Sequence, residues 1–214
     1  MQDLSGKTVL VTGAAGAVGQ ACVDTFREAG AKVALTDRAA PPRRLEGQDV
    51  WFQAADVTDR GAVNAVFAAA VKHFGRIDAA VLAAGVEGAV GPIEEITEAE
   101  YRRHFDTDVF GPIMLAQAAL EHFGPGSCII NVSSAIVLSP EPRTSLYSAC
   151  KAALNILTDV WAAELGSRRI RVVTLSPGVT HTTGHPVHDW GDEVVEPLIA
   201  RTPLGSIGIP EDIA

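Results

Sequence analysis

Six short apolar runs alternate along the chain with longer alanine-rich stretches, and this alternation constrains the fold more than any other feature. It is typical of βαβ units, in which helices join parallel strands. The runs are almost continuously apolar, as expected of strands covered on both faces. The predicted strands are residues 7–12, 32–37, 50–56, 78–84, 127–133 and 169–176. Right-handed crossovers then predict an α/β fold with one doubly wound parallel sheet and a ligand crevice at the carboxyl ends of its strands.

Helices are predicted between these strands, at residues 17–29, 60–74, 98–123 and 145–165. Gly30 and Gly75 follow the first two, as helix-ending residues often do. After Ser176 the chain becomes rich in Pro, Gly, Thr and His, with a short helix predicted near 193–200 and a helix start at Pro210. We interpret residues 179–205 as a mobile flap over the crevice.

Composition excludes several classes of partner. The formal net charge of -9 provides no basic surface for nucleic acid or an anionic membrane. Cys22, Cys128 and Cys150 form no zinc-binding or disulfide pattern, which favours a reducing, cytoplasmic location. The N-terminus resembles neither a secretory signal nor a membrane span. We therefore expect a soluble cytoplasmic protein of one domain, residues 1–214.

The first predicted strand runs directly into the sequence TGAAGAVG, residues 12–19. Gly13 allows a tight turn, and Gly19 allows close packing of helix on strand. Gly16 adds clearance, and the amides of Ala17 and Val18 at the helix N-terminus can hold a pyrophosphate. A glycine-rich turn alone also fits an ordinary tight βα connection.

Asp37, at the end of the second predicted strand, supports a dinucleotide site. Its carboxylate can accept hydrogen bonds from the adenosine ribose, and it would repel a 2′-phosphate at close range by roughly 4 kcal/mol. This favours NAD over NADP, although Arg38 offers a cation to such a phosphate. The alternative is that Asp37 is a solvated acid at the end of a strand.

The sequence YSACK places the phenol of Tyr147 four residues before the ammonium of Lys151. On a helix the two side chains share one face. A free tyrosine has a pKa of about 10, too high for a base at neutral pH, but an adjacent ammonium favours the phenolate. The pair can therefore act as a general acid/base.

With TGAAGAVG, Asp37, ADVTD, NVSS, YSACK and PG in this order, the sequence resembles the short-chain dehydrogenase/reductase family, in its compact single-domain branch. The resemblance covers essentially the whole chain. It implies a Rossmann fold and hydride transfer between a nicotinamide cofactor and an alcohol or carbonyl. It also implies that Tyr147 is the general acid/base, that Lys151 is its partner and that Ser134 hydrogen-bonds the substrate oxygen.

The same resemblance implies further cofactor contacts. Asp56 and the Val57 amide match the adenine-binding position, and Ala84 and Gly85 remain from a motif near the adenosine end. The residues that match the segment holding the nicotinamide are Pro177, Gly178, Val179 and Thr182.

The chain departs from the family pattern in four places. Ala17 stands where the family has a glycine, with Gly16 one position earlier, and Leu82 and Ala83 replace two asparagines, for which we expect an apolar repacking. Asp108 replaces the helix asparagine that completes the catalytic tetrad, where it would either strengthen the lysine charge or impair the proton relay. The family's last helix and strand do not appear before Ala214, so we expect a sheet edge without its usual neighbour.

Other residues admit two interpretations. His181, His185, His188 and Trp190 in the flap are candidates for substrate contact, and we predict no metal site because no carboxylate or cysteine completes a known ligand spacing. Arg143 would meet an anionic substrate group or lie on the surface. Apolar residues on several faces of helices 98–123 and 145–165 indicate a homodimer or homotetramer.

We therefore expect an NAD-dependent oxidoreductase that interconverts a secondary alcohol and a ketone, with Tyr147, Lys151, Ser134 and Asp108 in its centre. Two alternatives remain. One is a catalytically weak nucleotide-binding or sensing protein of the same fold. The other is an NADPH-dependent 3-oxoacyl reductase, against which Asp37 argues.

Overall fold

The computed structural model describes residues 2–42, 45, 47–86 and 91–214, with the side chain of His188 left undescribed. Six parallel strands form one sheet in the order β3-β2-β1-β4-β5-β6. Their bounds are Thr8–Thr12 (β1), Lys32–Asp37 (β2), Val50–Ala54 (β3), Ala79–Leu82 (β4), Cys128–Val132 (β5) and Arg171–Leu175 (β6). The predicted doubly wound sheet is confirmed, and the order reverses between β1 and β4, where such sheets bind ligands.

The helices cover both faces of the sheet. Their bounds are Ala17–Glu28 (α1), Arg60–Phe74 (α2), Glu98–Phe105 (α3), Gly111–Leu120 (α4), Ser145–Leu165 (α5) and Asp192–Ala200 (α6). Local signals explain several ends: Asp59 caps α2 by accepting from the Ala62 N–H, and Gly75 ends it at φ 86°. Within the described ranges, no helix has the length and apolar character needed to cross a bilayer.

The single helix predicted over residues 98–123 is wrong. A π-helical segment, Asp106–Phe110, separates α3 from α4. Pro112 has no N–H, so the ordinary α-helical bond to the Asp108 carbonyl four residues earlier cannot form. The backbone instead widens there, and the Gly111 N–H donates to the Asp106 carbonyl. Such segments occur often at functional sites.

Alternate residues of the strands enter two different cores. Leu10 of β1 packs with residues of α2 and α4, such as Phe67 and Leu115, on one face of the sheet. Val9 and Val11 pack with Val23 of α1 on the other. This period of two explains the nearly continuous apolar runs, since both faces of each strand are buried.

The segment after β6 has a small core of its own. Val187, Val195 and Ile207 are buried together, with Val179 and Leu198 against them. The predicted short helix is present as α6, and the predicted helix start at Pro210 is a 3₁₀ turn, Pro210–Asp212. An isolated β-bridge pairs Gly208, near the end of this segment, with Thr180, near its start after β6.

Candidate active site

Predicted site residues lie at or just after the carboxyl ends of the six strands. Gly13 follows β1, Asp37 ends β2, Asp56 and Val57 follow β3, Ala84 and Gly85 follow β4, and Ser134 follows β5. Pro177 and Gly178 lie two and three residues after β6. In a parallel sheet these ends lie along one edge, so residues that are far apart in sequence share one crevice.

The glycine turn leaves no room for side chains at two positions. Gly13 has φ 68°, and a Cβ there would lie 2.7 Å from the Ala83 carbonyl oxygen. A Cβ on Gly19 would lie 2.2 Å from the Gly13 carbonyl oxygen. Gly16 is less constrained, because its Cβ would meet the same oxygen at 3.2 Å. The predicted roles of Gly13 in the turn and Gly19 in helix packing are thus matched by the geometry.

Thr12 ties the glycine turn to the end of β4. Its hydroxyl oxygen accepts from the N–H groups of Ala83 and Ala84, both at 3.1 Å. Leu82 is buried in one core and Ala83 packs against the other, as expected for an apolar replacement of two amides. Sequence reasoning assigned no role to the Thr12 side chain, although a threonine at the last residue of a buried strand was the available signal.

The carboxylate of Asp37 faces the glycine turn. One oxygen accepts from the Ala15 N–H at 3.0 Å, and the other accepts from the Ala39 N–H at 3.2 Å. Arg38 beside it is exposed. This contact joins the end of β2 to the glycine turn, beside which a ribose-binding acid is needed.

Asp56 lies at the same edge and is held by its own loop. The Thr58 N–H and hydroxyl both donate to one carboxylate oxygen, at 2.9 and 2.8 Å. The pKa of Asp56 is below its ordinary value, first because of the Thr58 N–H, although desolvation opposes the shift. The Val57 side chain is buried in the core next to Gly111.

These residues fit a nicotinamide dinucleotide. The glycine turn is a cradle in which a Cβ would collide with backbone, and no side chain caps the N-terminus of α1 at Gly16. The first amides of α1, including those of Ala17 and Val18, are thus available to a pyrophosphate. Asp37 would take the adenosine ribose.

Ser134 is fixed between β5 and β6. Its hydroxyl oxygen accepts from the Ile136 N–H at 3.2 Å, which starts a short 3₁₀ turn. The next residue, Ala135, donates its N–H to the Pro177 carbonyl at 2.8 Å. The predicted serine and the predicted nicotinamide-binding segment are therefore brought side by side.

Tyr147 and Lys151 lie on one face of α5, as their spacing predicts. The Lys151 Nζ is 5.5 Å from the centroid of the Tyr147 ring, and it donates to the Val132 carbonyl at 3.3 Å. Tyr147 is partly exposed, whereas Lys151 is buried. The phenol ring and the ammonium are thus neighbours on this face of α5.

Two polar contacts fix α5 against β5. The buried Ser133 hydroxyl donates to the Lys151 carbonyl at 3.2 Å. The Asn131 amide donates to the Thr158 hydroxyl at 2.8 Å, and that hydroxyl donates to the Leu154 carbonyl at 2.8 Å. These contacts fix the rotation of α5 and its position along β5, and they thereby position Tyr147 and Lys151.

Asp108 is paired directly with Lys151. Its Oδ1 lies 3.2 Å from the Lys151 Nζ, and its Oδ2 accepts from the Val86 N–H at 3.3 Å. A Cβ on Gly85 would lie 2.7 Å from Asp108 Oδ1, so glycine is needed beside this carboxylate. The predicted cofactor residue Gly85 thus also provides the space in which the ion pair forms.

His104 was not predicted as part of the site. It is fully buried one turn before Asp108, with its Nδ1 3.8 Å from Asp108 Oδ2. Burial lowers the pKa of His104 because the imidazolium would be desolvated, while the Asp108 carboxylate opposes the shift. The i,i+4 spacing to Asp108 was the signal that could have identified it.

Thr182 and Trp190 both contact His185 within the flap. The Thr182 hydroxyl accepts from the His185 N–H at 2.9 Å inside a local turn, and the His185 ring packs edge-on against Trp190 at 4.5 Å. Val179 packs into the flap core. Arg201, the residue after α6, forms an ion pair with Glu141, which precedes α5. This pair joins the flap to the loop after β5.

Arg143 lies on that same loop in a left-handed conformation, φ 72°. Its carbonyl accepts from the Gly91 N–H at 3.0 Å, and it lines a small cavity with Glu95 and Glu100. Two acids in the lining make this cavity a poor site for the anionic substrate group considered for Arg143.

Comparison with known proteins identifies relatives over the whole chain. A family model described as enoyl-(acyl carrier protein) reductase matches residues 13–214. An uncharacterized oxidoreductase of Methylorubrum extorquens is 39% identical, over 100% of this chain and 90% of the relative. A hydroxynaphthalene reductase-like protein, Arp2, of Metarhizium majus is 31% identical, over 99% of this chain and 86% of the relative.

Solved structures agree with the fold. A dehydrogenase/reductase from Sinorhizobium meliloti superimposes with a TM-score of 0.91 at 34% identity, covering 99% of this chain and 86% of that one. A 3-ketoacyl-(acyl-carrier-protein) reductase from Brucella melitensis, complexed with NADH, gives 0.88 at 28% identity, with 98% and 88% covered. A short chain dehydrogenase from Burkholderia cenocepacia, in complex with NADP, gives 0.88 at 28% identity, with 99% and 89% covered.

The six-stranded sheet, the match to the family model and these relatives agree with the resemblance found in the sequence motifs. The chain therefore belongs to the short-chain dehydrogenase/reductase family of oxidoreductases, enzymes that act on CH–OH groups.

Proposed function

We propose that the protein is an NAD(H)-dependent oxidoreductase that interconverts a secondary alcohol and a ketone. The observation that carries this proposal is the Lys151 ammonium 5.5 Å from the Tyr147 ring, in a crevice that also holds the glycine turn and Asp37. A phenol beside a buried cation is suited to proton transfer, and the turn is suited to a dinucleotide.

Each residue of this site has one task in the proposed reaction. The nicotinamide dinucleotide, when bound, supplies the hydride acceptor or donor. In oxidation the Tyr147 phenolate takes the hydroxyl proton of the alcohol, and in reduction the neutral phenol returns it. Ser134 orients the substrate oxygen and donates a hydrogen bond to the charge that develops there. Lys151 favours the phenolate, and it is held in place by Val132 and Asp108.

Asp37 supports the preference for NAD over NADP. Its carboxylate faces the Ala15 amide in the glycine turn, at 3.0 Å, where an adenosine 2′-phosphate would meet a negative charge. Among the solved relatives, one contains NADH and another NADP, so the family tolerates both. The residue at this strand end is therefore the feature from which we infer the preference.

Titration of the protein with NADH and with NADPH tests this assignment, followed by turnover on a panel of secondary alcohols and ketones. We expect NADH to bind at least about tenfold more tightly than NADPH, which corresponds to about 1.4 kcal/mol. This is less than the roughly 4 kcal/mol of repulsion between Asp37 and a 2′-phosphate. Asp37→Ser should remove most of that difference. Asp159→Ser, an exposed acid on α5, serves as the matched control and should leave it unchanged. Tighter NADPH binding by the wild-type protein would contradict the assignment.

Two alternatives have support of their own. A 3-oxoacyl reductase is suggested by the Brucella melitensis neighbour, and it predicts turnover of 3-oxoacyl thioesters with NADPH. A weakly catalytic nucleotide sensor is suggested by Asp108, whose charge partly offsets the Lys151 charge near Tyr147. NADH binding without turnover on the whole panel would favour the sensor.

We also propose a homodimer or homotetramer in the cytoplasm. Ile156 and Val160 are exposed one turn apart on α5, and Tyr101 and Phe110 are exposed on the neighbouring α3 and π segment. Exposed apolar groups on adjacent elements favour a subunit interface. The three cysteines are free and buried, as is usual for a protein of a reducing compartment.

A further inference from the structure

A buried imidazole lies behind the Asp108–Lys151 ion pair and has no place in the reaction described so far. His104 belongs to α3 and Asp108 to the π segment that follows it. Both side chains have 0% exposure, and Lys151 has 8%. Three ionisable groups are thus enclosed together next to Tyr147, in a place where charges interact strongly because water is excluded.

The Asp108 carboxylate bridges the other two groups. Its Oδ1 faces the Lys151 Nζ at 3.2 Å, and its Oδ2 faces His104 Nδ1 at 3.8 Å. The Val86 N–H also donates to Oδ2, at 3.3 Å. At 3.8 Å the two atoms are beyond ordinary hydrogen-bond length, so the ring can act on the carboxylate only electrostatically, through its dipole in this buried setting.

The charged and titratable groups around His104 come from three elements. Glu100 and Arg103 lie on its own helix and Asp108 on the π segment, while α5 contributes Lys151. Cys150, also on α5, lies near Asp108 and Lys151, and burial raises the pKa of its thiol to about 12, so it stays neutral. Burial lowers the pKa of His104, which keeps the ring neutral at neutral pH. The ring therefore contributes a dipole to this cluster and no net charge.

We propose that His104 is a positioning residue for proton transfer at Tyr147, acting through Asp108 on Lys151. The proposal places the proton of the neutral ring on Nδ1, so that the N–H dipole faces Oδ2, stabilises the carboxylate and draws its negative charge away from the Lys151 side. More of the lysine charge then acts on the phenol. The inference rests on the proposed function, because the group that it tunes is the proposed acid/base.

The composition of the chain allows a direct spectroscopic test. It contains two tyrosines, Tyr101 and Tyr147. Tyr101 is exposed on α3, so Tyr101→Phe leaves Tyr147 as the single phenol whose ionisation can be followed by ultraviolet absorbance. The titration uses the full chain without cofactor or substrate, and circular dichroism at each pH checks that the protein remains folded.

In this background we compare the parent with His104→Met, an apolar side chain that fills space but donates no hydrogen bond. We expect the midpoint of the phenol titration to move to higher pH by roughly half a unit, since the carboxylate loses the dipole of the ring. His104→Asn keeps an N–H donor near the same place and should stay at the parent midpoint. In an Asp108→Asn background, His104→Met should cause no further shift.

A midpoint that His104→Met leaves unchanged would overturn the proposal, because a structural role would lower stability alone. The same conclusion follows if the shift persists in the Asp108→Asn background. If His104→Met does not fold, His104→Leu, which also lacks an N–H donor, replaces it: a shift of the midpoint to higher pH supports the proposal and an unchanged midpoint overturns it. The titration requires no turnover, so a failure of the proposed function would be recognised separately by an active Tyr147→Phe variant.

Discussion

Asp108 and Lys151 are opposite charges that fold into almost complete burial 3.2 Å apart. Removing either charge from water costs several kcal/mol, and the pair recovers this only because each group has further partners. Lys151 also donates to the Val132 carbonyl, and Asp108 also accepts from the Val86 N–H. The position of the lysine beside Tyr147 is therefore enforced from two sides.

This arrangement predicts strong coupling between the two residues in stability. Lys151→Met should lower the free energy of unfolding by about 3 kcal/mol or more, because it leaves the Asp108 carboxylate buried without its cation. The same substitution in an Asp108→Asn background should cost only about 1 kcal/mol. Urea unfolding of the four proteins measures both values.

Equal costs in the two backgrounds would show that the ion pair contributes nothing beyond packing at Lys151. Exposed Lys72 provides the matched control, and Lys72→Met should have a small effect that is independent of Asp108.

The sequence was sufficient to predict that Tyr147 and Lys151 share one face of a helix, because their four-residue spacing fixes that geometry. It also identified Asp108 as a substitution at an important position. The sequence did not identify His104, because its proposed role depends on burial. Its burial follows from how α3 packs against α5.

At the scale of elements, the glycine turn between β1 and α1 is the feature with the least steric freedom. A Cβ on Gly19 would lie 2.2 Å from the Gly13 carbonyl oxygen, a distance that only a shift of backbone can relieve. Gly13 is restricted twice, by its φ of 68° and by the Ala83 backbone. The first turn of α1 is thereby held against the end of β1.

We expect Gly19→Ala to destabilise the protein by about 1–3 kcal/mol and to weaken NADH binding, because α1 must move away from the turn. Gly124→Ala is the matched control, since its φ is not positive and its Cβ would meet nothing within 4 Å. Thermal unfolding and NADH titration of the two variants make the comparison. Unchanged NADH binding in Gly19→Ala would contradict a pyrophosphate site at this turn.

Element prediction succeeded where local signals set the ends. The ranges of α2 and α5 match the predictions at both ends, and Asp59 and Gly75 terminate α2 as their residue types suggest. The π segment was missed because hydrophobic periodicity continues through it, although Gly111 and Pro112 were visible in the sequence. Pro112 has no N–H, so the hydrogen-bond pattern of the preceding turn changes. Hydrophobic periodicity does not indicate such a change, because it depends on side chains and not on backbone donors.

At the scale of the whole molecule, the strand order brings together residues that are distant in sequence. Ala135 after β5 meets Pro177 after β6, and Thr12 at the end of β1 meets Ala84 after β4. The sequence predicted a doubly wound parallel sheet through alternation and handedness, although it did not predict the order of the strands. It did not predict the separate core of the flap or the Arg201–Glu141 pair, because these contacts depend on how an irregular segment folds back.

The proposed subunit interface predicts a dependence of assembly on α5. The wild-type protein should elute as a dimer or tetramer in size-exclusion chromatography with light scattering. Ile156→Lys should reduce its mass in solution, because it places a charge in the apolar face. Ile93→Lys, an exposed apolar residue in the loop after β4, should not. A wild-type monomer at micromolar concentration would contradict the proposal.

Tyr147 is the residue that we propose transfers the substrate proton, and removing its hydroxyl is the sharpest test of this role. Tyr147→Phe keeps the ring beside Lys151 but removes the hydroxyl, so turnover should fall by roughly 10²–10⁴-fold while NADH binding is retained. Tyr101→Phe, at the other tyrosine, should retain full turnover. If Tyr147→Phe binds NADH and its turnover rate is within a few-fold of the wild-type rate, then another group transfers the proton and the proposed role of Tyr147 is contradicted.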